Sequence, residues 1–517
     1  MVHRSPHPDI VVQNLSLYDM VFSAAQARGD APAMADGLTG RVITYGQLID
    51  RIRRTAAGLA SRGIGKGDVV SIWAPNLPEW PIAFFAAIRV GATVHTSNPV
   101  STPEEMSYQL SDAGSRLLIT VNALSEKARE AIAESGRSLE IVTLDDSPFP
   151  TLASLMIDAP LPAVDIDPAS DVAVLPYSSG TTGLPKGVML THRNIVAQLA
   201  QLDVAETSHM PAMLGVLPFF HIYGMVVILM LGLMRGVTIV ALHKFEFEPF
   251  LKVLRGWPIT VAHVVPPMAV ALAKHPLVDN YQFPHLQCLF SAAAPMGPEL
   301  TAAVEERLKV KVRQGYGMTE ASPGTHYALP GHEHIGTVGP LLPNTECRIV
   351  DPESGANVPV GERGEVWVRG PQVMKGYLNN PEATAKTVDA DGWLHTGDIG
   401  IVDERGDLTV VDRLKELIKV KGFQVAPAEL ESLLLKHPRI ADVAVIPIPD
   451  EESGELPKAV LVAKGPLTAD EVAEFLLPHV AHYKRIRHVE FVDAIPKSPS
   501  GKILRRVLVE KERIARA

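Results

Sequence analysis

A glycine-rich run of ten residues, Ser178 to Gly187, carries the residue types that a phosphate-binding loop requires. It reads Ser-Ser-Gly-Thr-Thr-Gly-Leu-Pro-Lys-Gly, with three glycines, four hydroxyl side chains and one lysine. Glycines let backbone N–H groups approach an anion closely, hydroxyls donate hydrogen bonds, and Lys186 brings a positive charge. A Walker A loop has Ser or Thr after its lysine, whereas Gly187 follows Lys186 here. We therefore expect a nucleotide-binding loop of another kind, and the alternative is an ordinary flexible turn.

Length and composition favour a soluble enzyme with more than one domain. The chain has 517 residues, which exceeds what a single hydrophobic core usually organises. Hydrophobic residues make up 46% and charged residues 21% of the sequence, as in ordinary globular proteins. The formal net charge of -10 disfavours non-specific binding of nucleic acid. We therefore expect small-molecule partners and no nucleic acid.

Cysteine content and hydropathy bear on the compartment. Cys288 and Cys347 are the two cysteines of the sequence, which supports neither a disulfide framework nor a cysteine metal site. Residues 1–9 show no export signal. The strongest apolar stretch, 222–241, is interrupted at Arg235 after about a dozen residues, which is short of a membrane span. We expect a buried helix and then a buried strand in that stretch, no membrane span, and a cytoplasmic protein.

Hydrophobic patterning predicts the architecture of the larger, N-terminal region. Strand-like and helix-like segments alternate over residues 44–120 and 172–265, which indicates parallel βαβ units. Short strands separated by turns follow residue 360, for example Gly364 to Arg369. That pattern is typical of an antiparallel subdomain.

The sequence changes character again at Asp412, where a charged run begins. Beyond it, the order of elements is that of a small domain of about a hundred residues. We expect an α/β N-terminal domain over residues 1–411, with stacked mixed sheets plus the antiparallel subdomain. A small α+β C-terminal domain on a hinge, residues 412–517, is expected to follow. The basic segment from Lys502 to Arg516 is predicted to be a closing helix.

Three further segments contain residues that could bind a nucleotide. They are Gln314 to Glu320, Thr396 to Asp398 and Pro496 to Lys502, which read Gln-Gly-Tyr-Gly-Met-Thr-Glu, Thr-Gly-Asp and Pro-Lys-Ser-Pro-Ser-Gly-Lys. Each alone is weak evidence, since such turns are common. In this order, with the charged run 412–419 between them, they resemble the adenylate-forming superfamily of acyl-CoA synthetases, luciferases and peptide-synthetase adenylation domains. The resemblance covers essentially the whole chain.

Within that superfamily the chain is most similar to the 4-coumarate:CoA ligase group. The similarity is carried by Phe220 to Tyr223 and by the run from Lys419 to Glu429. It implies that a carboxylic acid and ATP give an acyl adenylate and pyrophosphate, after which the thiol of coenzyme A displaces AMP. ATP, Mg²⁺ and coenzyme A are thus implied. Such a site must suppress charge repulsion and align an in-line attack, and it needs no side-chain nucleophile.

The resemblance assigns the nucleotide site. It implies that Thr319 contacts the α-phosphate, that Glu320 and Thr182 help to hold Mg²⁺, and that Asp398 accepts hydrogen bonds from the ribose hydroxyls. A carboxylate suits a diol because it only accepts hydrogen bonds. The full set implied to bind ATP or AMP is Ser178, Ser179, Gly180, Thr181, Thr182, Lys186, Gln314, Gly315, Tyr316, Thr319, Asp398, Arg413 and Lys415.

Family members use two orientations of the small domain, so the resemblance also assigns residues to each reaction step. Lys502 is implied to act in adenylate formation, because a compact cation suits developing negative charge. Lys419 and Gln424 are implied to face the adenylate in the second orientation, with Lys415 at the hinge. The residues implied to line the coenzyme A path are Lys244, Lys421 and Gly422. Each lysine could instead be ordinary surface charge.

A third set of residues resembles the walls of the acid-binding pocket: His221, Tyr223, Phe290, Ala292, Ala293 and Met296. His221 is also counted as catalytic. Plant coumarate ligases commonly carry a lysine at the position of Phe290 and a glycine at that of Ala292, so we expect a smaller and more apolar pocket floor. An unpartnered phenol there would cost about 1 to 3 kcal/mol. The prediction is an unsubstituted cinnamate-like acid, with a medium-chain fatty acid as the alternative.

Other functions are consistent with part of these motifs. A luciferase-like or carrier-loading adenylase would share the first step. From another class, a nucleotide-sensing binding protein or an ATPase with a mechanical role would bind ATP without acyl transfer. The sequence leaves open whether the protein is a monomer or a homodimer.

Overall fold

The computed structural model describes residues 1–178, 184–331, 333–421, 423–450, 453–498 and 501–516. In chain order its strands are β1 His3–Arg4, β2 Pro32–Asp36, β3 Val42–Thr44, β4 Val69–Trp73, β5 Thr93–Ser97, β6 Leu117–Thr120, β7 Glu140–Thr143, β8 Val172–Ser178, β9 Lys186–Thr191, β10 Ala212–Gly215, β11 Thr238–Ala241, β12 Val261–Val264, β13 Cys288–Ser291, β14 Lys311–Gly317, β15 Gly324–Tyr327, β16 Glu346–Val350, β17 Gly364–Arg369, β18 Gly376–Tyr377, β19 Leu394–Val402, β20 Leu408–Arg413, β21 Ile418–Val420, β22 Phe423–Val425, β23 Ile440–Asp450, β24 Gly454–Ala463 and β25 His488–Phe491.

The α-helices are α1 Leu17–Phe22, α2 Tyr45–Ser61, α3 Trp80–Arg89, α4 Pro103–Asp112, α5 Ser125–Glu134, α6 Leu152–Leu155, α7 His192–Ala205, α8 Leu231–Arg235, α9 Phe247–Gly256, α10 Pro266–Lys274, α11 Pro298–Leu308, α12 Pro381–Thr387, α13 Pro427–Leu434, α14 Ala469–Leu476 and α15 Arg505–Arg516. A π-helical segment, Tyr223–Met230, runs directly into α8. Short 3₁₀ turns are Ala25–Arg28, Asn122–Leu124, Pro276–Asn280, Thr319–Ala321 and His482–Lys484.

Three sheets share the main hydrophobic core. The first has the order β18-β9-β8-β5-β4-β6-β7, in which β8, β5, β4, β6 and β7 are parallel. The others have the orders β10-β11-β2-β3 and β12-β13-β14-β15. One continuous cluster of buried side chains spans all three sheets and their helices. Parallel strands joined through helices are the βαβ units that the alternating pattern predicts.

Two further sheets lie outside that core. The antiparallel sheet β1-β16-β17-β19-β20 has its own apolar cluster. The last sheet has the order β22-β21-β24-β23, with β25 beside β24, and packs α13 and α14 against one apolar cluster. We call the elements β21 to α15 the C-terminal unit. The expected fold class, mixed sheets with an antiparallel subdomain and a small α+β unit, is confirmed.

Local sequence signals explain where elements begin. Thr102 accepts a hydrogen bond from the backbone N–H of Glu105, and the Glu105 carboxylate accepts one from the N–H of Thr102. This capping box satisfies two donors that a helix N-terminus otherwise leaves unpaired. The apolar stretch 222–241 forms helix and then strand, as expected. Within the described ranges, no helix combines the length and apolar character needed to cross a membrane.

The predicted start of the closing helix was wrong. The helix begins at Arg505, and Lys502 lies on the turn before it. The backbone N–H of Ser498 donates to the Lys502 carbonyl at 2.8 Å, and Gly501 has a φ of +79°. That left-handed conformation, which glycine adopts without strain, closes the turn and keeps Lys502 out of the helix.

Candidate active site

One carboxylate of the site is held between a phenol and a guanidinium. Tyr316 donates its hydroxyl proton to Asp398 Oδ2 at 2.6 Å, and Arg413 Nε lies 3.3 Å from Asp398 Oδ1. Asp398 and Arg413 are register partners in β19 and β20, so the sheet itself sets their separation. Asp398 is 6% exposed. The arrangement presents a fixed acceptor whose remaining lone pairs suit a diol.

Strand β14 carries Gln314, Gly315 and Tyr316, three consecutive residues that the resemblance assigns to the nucleotide site. A Cβ on Gly315 would lie 2.8 Å from Phe290 Cζ, so only glycine lets the ring pack against this strand. Gln314 is buried, and its amide donates to the Met296 carbonyl at 3.2 Å. The structure thus brings Tyr316 to Asp398 and directs the Gln314 side chain to the loop after β13.

The two ends of the glycine-rich loop are described. Ser178 and Lys186 are register partners at the ends of β8 and β9, so strand pairing sets the separation of these two residues. Lys186 Nζ lies 4.3 Å from the centroid of the Tyr377 ring. The predicted loop residues Ser179, Gly180, Thr181 and Thr182 lie outside the described residues.

A second carboxylate lies beside this loop. Glu320 Oε1 accepts hydrogen bonds from Ser178 Oγ at 3.1 Å and from the Tyr377 hydroxyl at 2.8 Å. Glu320 is buried at the 3₁₀ turn that also contains Thr319. The sequence analysis missed Tyr377, because a lone tyrosine far along the chain forms no pattern. Two hydroxyls therefore fix one oxygen of a buried carboxylate next to the predicted phosphate loop.

The charges of both carboxylates act on the pKa of Lys502, and the charge of Lys502 acts on the pKa of His221 at the acid end of the site. Burial and the positive charge of Arg413 lower the pKa of the Lys502 amine, while Asp398 and Glu320 act in the opposite direction. Burial, and then the charge of Lys502, lower the pKa of His221 to about 4. We call the region between Asp398, Glu320, Lys502 and His221 the active-site cleft.

The residues assigned to thioester formation lie elsewhere in this orientation. Lys419 and Gln424 are exposed on the β21–β22 hairpin, and Lys415 is exposed before it. Lys244 is also exposed, with Nζ 2.5 Å from Glu246 Oε1. Lys421 has a φ of +49° at the hairpin turn, and Gly422 lies outside the described residues.

The acid end of the cleft is built on the π-helical segment and β13. The Tyr223 backbone N–H donates to His221 Nδ1 at 3.2 Å. Because Nδ1 accepts a hydrogen bond, neutral His221 carries its proton on Nε2. The buried Tyr223 hydroxyl lies 3.3 Å from the Phe290 carbonyl, to which it donates. Ala292, Ala293 and Met296 follow on the loop between β13 and α11, and Met296 is buried.

His263 is a polar residue at this end that the sequence analysis missed. It is the register partner of Phe290, with ring centroids 5.3 Å apart, and its Nδ1 lies 3.2 Å from the Tyr223 hydroxyl. Its Nε2 is buried and has no hydrogen-bond partner among the described residues, although buried polar atoms usually have one. Burial lowers the pKa of His263 to about 4. A single histidine in an apolar strand is typical of a core residue, so the sequence gives no sign of a site here. The missing hydrogen-bond partner of Nε2, within the residues that the structure describes, is what marks His263 as a candidate site residue.

Phe290 itself rests on a buried ion pair. Its ring stacks on Tyr327 at 4.3 Å, and the Tyr327 hydroxyl donates to Glu206 Oε2 at 2.6 Å. Arg313 Nη2 lies 2.8 Å from the same oxygen, and both side chains are 1% exposed. Breaking such a buried pair from one side leaves an uncompensated charge. The ring of Phe290 is therefore held in place by Tyr327, Glu206 and Arg313. These residues lie far apart in the sequence, so no sequence pattern predicts that they interact.

Comparison with known proteins identifies the class. The chain matches the model of AMP-binding enzymes over residues 21–378 and that of the AMP-binding enzyme C-terminal domain over residues 429–502. It belongs to this family of AMP-binding enzymes. The expected membership of the adenylate-forming superfamily is thereby confirmed.

Individual relatives narrow the class. The 4-coumarate–CoA ligase 2 of Petroselinum crispum is 44% identical over 99% of this chain and 97% of its own length. The 4-coumarate–CoA ligase 5 of Oryza sativa subsp. japonica is 43% identical with the same coverage. Among solved structures, the anthranilate CoA ligase AuaEII in complex with anthranoyl-AMP superimposes with a TM-score of 0.90 at 25% identity, covering 98% of each chain. ATP-bound MatB from Rhodopseudomonas palustris superimposes with a TM-score of 0.88 at 28% identity, covering 97% of this chain and 99% of its own. The expected similarity to the 4-coumarate:CoA ligase group is confirmed.

Proposed function

We propose that this protein is an AMP-forming acid–thiol ligase that converts a carboxylic acid, ATP and coenzyme A into an acyl-CoA, AMP and pyrophosphate. The observation that carries the proposal is that Asp398, held by Tyr316 and Arg413, and the buried Glu320 both act electrostatically on Lys502, whose charge also acts on His221. The charge of one lysine thus acts at both the expected nucleotide end and the expected acid end of the cleft. That is where negative charge develops when a carboxylate attacks a phosphate.

In the first step, a carboxylate oxygen of the acid forms a bond to the α-phosphorus of ATP. The bond from that phosphorus to the bridging oxygen breaks, and pyrophosphate leaves with its electrons. Lys502 offsets the charge on the attacking and bridging oxygens, and neutral His221 can donate its Nε2 proton in a hydrogen bond to the acid. Asp398 holds the ribose and thereby aligns the phosphate chain.

Glu320 is the residue best suited to hold Mg²⁺. Its carboxylate is fixed through one oxygen by Ser178 and Tyr377, beside the predicted phosphate loop. Magnesium prefers one or two carboxylates together with phosphate oxygens and water. When bound, the ion neutralises phosphate charge, and the predicted partner Thr182 lies outside the described residues.

In the second step, the sulfur of coenzyme A forms a bond to the acyl carbon, the bond to AMP breaks, and the thiol proton is released. The exposed Lys419–Gln424 hairpin would serve this step after the C-terminal unit reorients. Lys244, Lys421 and Gly422 would then line the coenzyme A path. The predicted domain boundary between residues 411 and 412 falls within β20, so we propose that the C-terminal unit begins after that strand, with Lys415 at the hinge.

The acid is proposed to be cinnamate-like. At the acid end the rings of Tyr223, His263 and Phe290 pack against one another, and an aromatic cluster suits a planar conjugated acid. The alternative, a medium-chain fatty acid, would use the same apolar surface. Both cysteines are free and buried, which supports the proposed cytoplasmic location.

A panel of carboxylic acids scored by AMP formation, with and without coenzyme A, tests the proposal. The expected result is pyrophosphate release that requires an acid, followed by thioester formation that requires coenzyme A, with aryl propenoic acids leading octanoate. Transfer to a pantetheine carrier but not to coenzyme A would favour a carrier-loading enzyme. ATP binding without turnover for every acid would favour a nucleotide sensor.

A further inference from the structure

The C-terminal unit contacts the N-terminal part of the chain at a place well separated in sequence from Lys502. Glu299, in the first turn of α11, lies with Oε1 2.6 Å from Lys436 Nζ just after α13. Ser432 Oγ, within α13, donates to Glu299 Oε2 at 3.3 Å. We call Glu299, Ser432 and Lys436 the latch.

Helix α10 connects the latch region to the Lys502 turn. Near its start, Pro267 lies against Gly501, where a Cβ would meet the proline ring at 3.1 Å. At its end, Lys274 Nζ donates to the Leu435 carbonyl at 3.0 Å, next to the latch lysine. A helix of this length spans about 12 Å. The C-terminal unit therefore contacts both ends of helix α10. A contact that fixes the unit at the C-terminal end of α10 also restricts the position of the Lys502 turn at the N-terminal end.

The latch also continues from the loop that bears the predicted acid-pocket residues. That loop runs from β13 through Met296 to Gly297 and then into α11. The Met296 carbonyl accepts the hydrogen bond from Gln314, and Gly297 lies directly against Ser432 because it has no side chain. One short segment thus contacts Gln314 of the predicted nucleotide site, the acid end and the C-terminal unit.

The Glu299–Lys436 ion pair of the latch is weak enough to break during a reaction cycle. Burial acts to raise the pKa of Glu299, but the hydrogen bonds from Lys436, its own backbone N–H and Ser432, together with the charge of Lys436, outweigh burial, and the pKa lies below its ordinary value. The carboxylate is therefore charged at neutral pH. The Lys436 and Glu299 side chains are 31% and 41% exposed, and partly exposed ion pairs are weak.

We infer that Glu299 and Lys436 are positioning residues that hold the C-terminal unit in the orientation for adenylate formation and separate before thioester formation. The inference rests on the proposed two-step function. Neither residue touches the cleft, so they act through the placement of the Lys502 turn. Removing the charge of either residue favours the orientation for thioester formation. It therefore slows adenylate formation without slowing thioester formation.

The test compares the two half-reactions in Glu299→Gln and Lys436→Met. Acid-dependent exchange of labelled pyrophosphate into ATP measures the first step, and conversion of presynthesised acyl adenylate by coenzyme A measures the second. Each variant is expected to slow exchange about two- to fivefold, with the second step unchanged or faster. The swapped double variant Glu299→Lys/Lys436→Glu is expected to recover exchange. Glu382→Gln is the control, because its ion pair with Lys386 has the same 2.6 Å length but lies within α12.

A second measurement does not depend on activity. Spin labels on Glu130→Cys and Lys464→Cys, both exposed positions in different parts of the chain, report the orientation directly, since the native cysteines are buried. Glu299→Gln is expected to increase a second distance population. Unchanged populations, equal loss in both half-reactions, or a swap that recovers nothing would overturn the latch. Absence of exchange in the unaltered protein for every acid would instead refute the proposed function, and the label distances would still decide the latch.

Discussion

Lys419 and Gln424 lie directly opposite each other across the β21–β22 hairpin, and both side chains are exposed while Lys502 lies in the cleft. The C-terminal unit thus carries two separate cationic sites. Lys502 lies in the cleft, whereas Lys419 on the hairpin lies outside the cleft. Because both cannot occupy the same place, the proposed reaction steps require different orientations.

Lys419→Ala should therefore affect the second step selectively. In the observed orientation the Lys419 side chain is exposed, so acid-dependent pyrophosphate exchange should change less than about twofold. Conversion of presynthesised acyl adenylate to thioester should fall at least about tenfold, since a cation aimed at the reacting group is lost. Lys252→Ala, which removes another exposed lysine, is the control. Equal losses in both half-reactions would contradict the assignment.

Tyr316→Phe should weaken ATP binding. The variant removes the 2.6 Å hydrogen bond to Asp398 and frees the carboxylate that is proposed to hold the ribose. A hydrogen bond to a charged group contributes about 1.5 to 3 kcal/mol, so the KM for ATP should rise roughly tenfold or more with a smaller change in kcat. Tyr45→Phe removes a buried tyrosine hydroxyl far from the cleft and should leave this KM unchanged. An unaltered KM in Tyr316→Phe would argue against a ribose-binding role for Asp398.

His263→Leu should change the preference among aryl acids. The unpartnered Nε2 can pair with a ring hydroxyl in either tautomer, because a hydroxyl both donates and accepts. The ratio of kcat/KM for 4-coumarate to that for cinnamate should fall about tenfold or more in the variant. This outcome would replace the expectation, drawn from Phe290 and Ala292, that the pocket floor lacks a hydrogen-bond partner for a phenol. Thr55→Val is the matched control, because it removes a buried α2 hydroxyl for which the described part of the chain offers no hydrogen-bond partner. An unchanged ratio in His263→Leu would exclude the contact.

Acid should destabilise the fold through its buried histidines. Burial lowers the pKa values of His95, His192 and His263 to about 4, whereas the unfolded chain titrates near 6.5. Between these values the unfolded state binds more protons, so stability is full above pH 6.5 and falls as the pH drops toward 4. Each histidine contributes about 1 kcal/mol of loss at pH 5.5.

Urea unfolding followed by tryptophan fluorescence at pH 7.5 and 5.5 checks this prediction. The midpoint should be lower at pH 5.5, and His95→Gln should reduce the difference between the two values. The exposed His285→Gln variant serves as the control. A midpoint that stays level or rises on acidification would show that the buried histidines are not kept neutral by the fold.

The sequence predicted the elements because their signals are local. The capping box at Thr102, the buried strands of the first sheets and the helix–strand order of residues 222–241 all follow from neighbouring residues. The start of the last helix was missed because the turn at Gly501 depends on hydrogen bonds between Ser498 and Lys502 that residue types alone do not specify.

The site residues that belong to short sequence motifs were predictable. The residues that packing alone brings to the site were not. Asp398 and Tyr316 belong to separate short motifs that the fold brings into hydrogen-bond contact, and the register of β19 with β20 places Arg413 opposite Asp398. His263 has no sequence signal, because a histidine in an apolar strand is usually core. The Glu299–Lys436 contact depends on how the C-terminal unit packs against α11. No pattern in the amino-acid sequence predicts that packing.

Acid-dependent exchange of labelled pyrophosphate into ATP, compared between the unaltered protein, Lys502→Ala and Lys497→Ala, tests the central claim most directly. Lys497 lies on the same turn, but its Nζ is 2.6 Å from Asp442 rather than in the cleft. The account predicts exchange that requires an aryl acid, falls about a hundredfold or more in Lys502→Ala, and persists in Lys497→Ala. Exchange absent for every acid, or undiminished without the Lys502 amine, would contradict it.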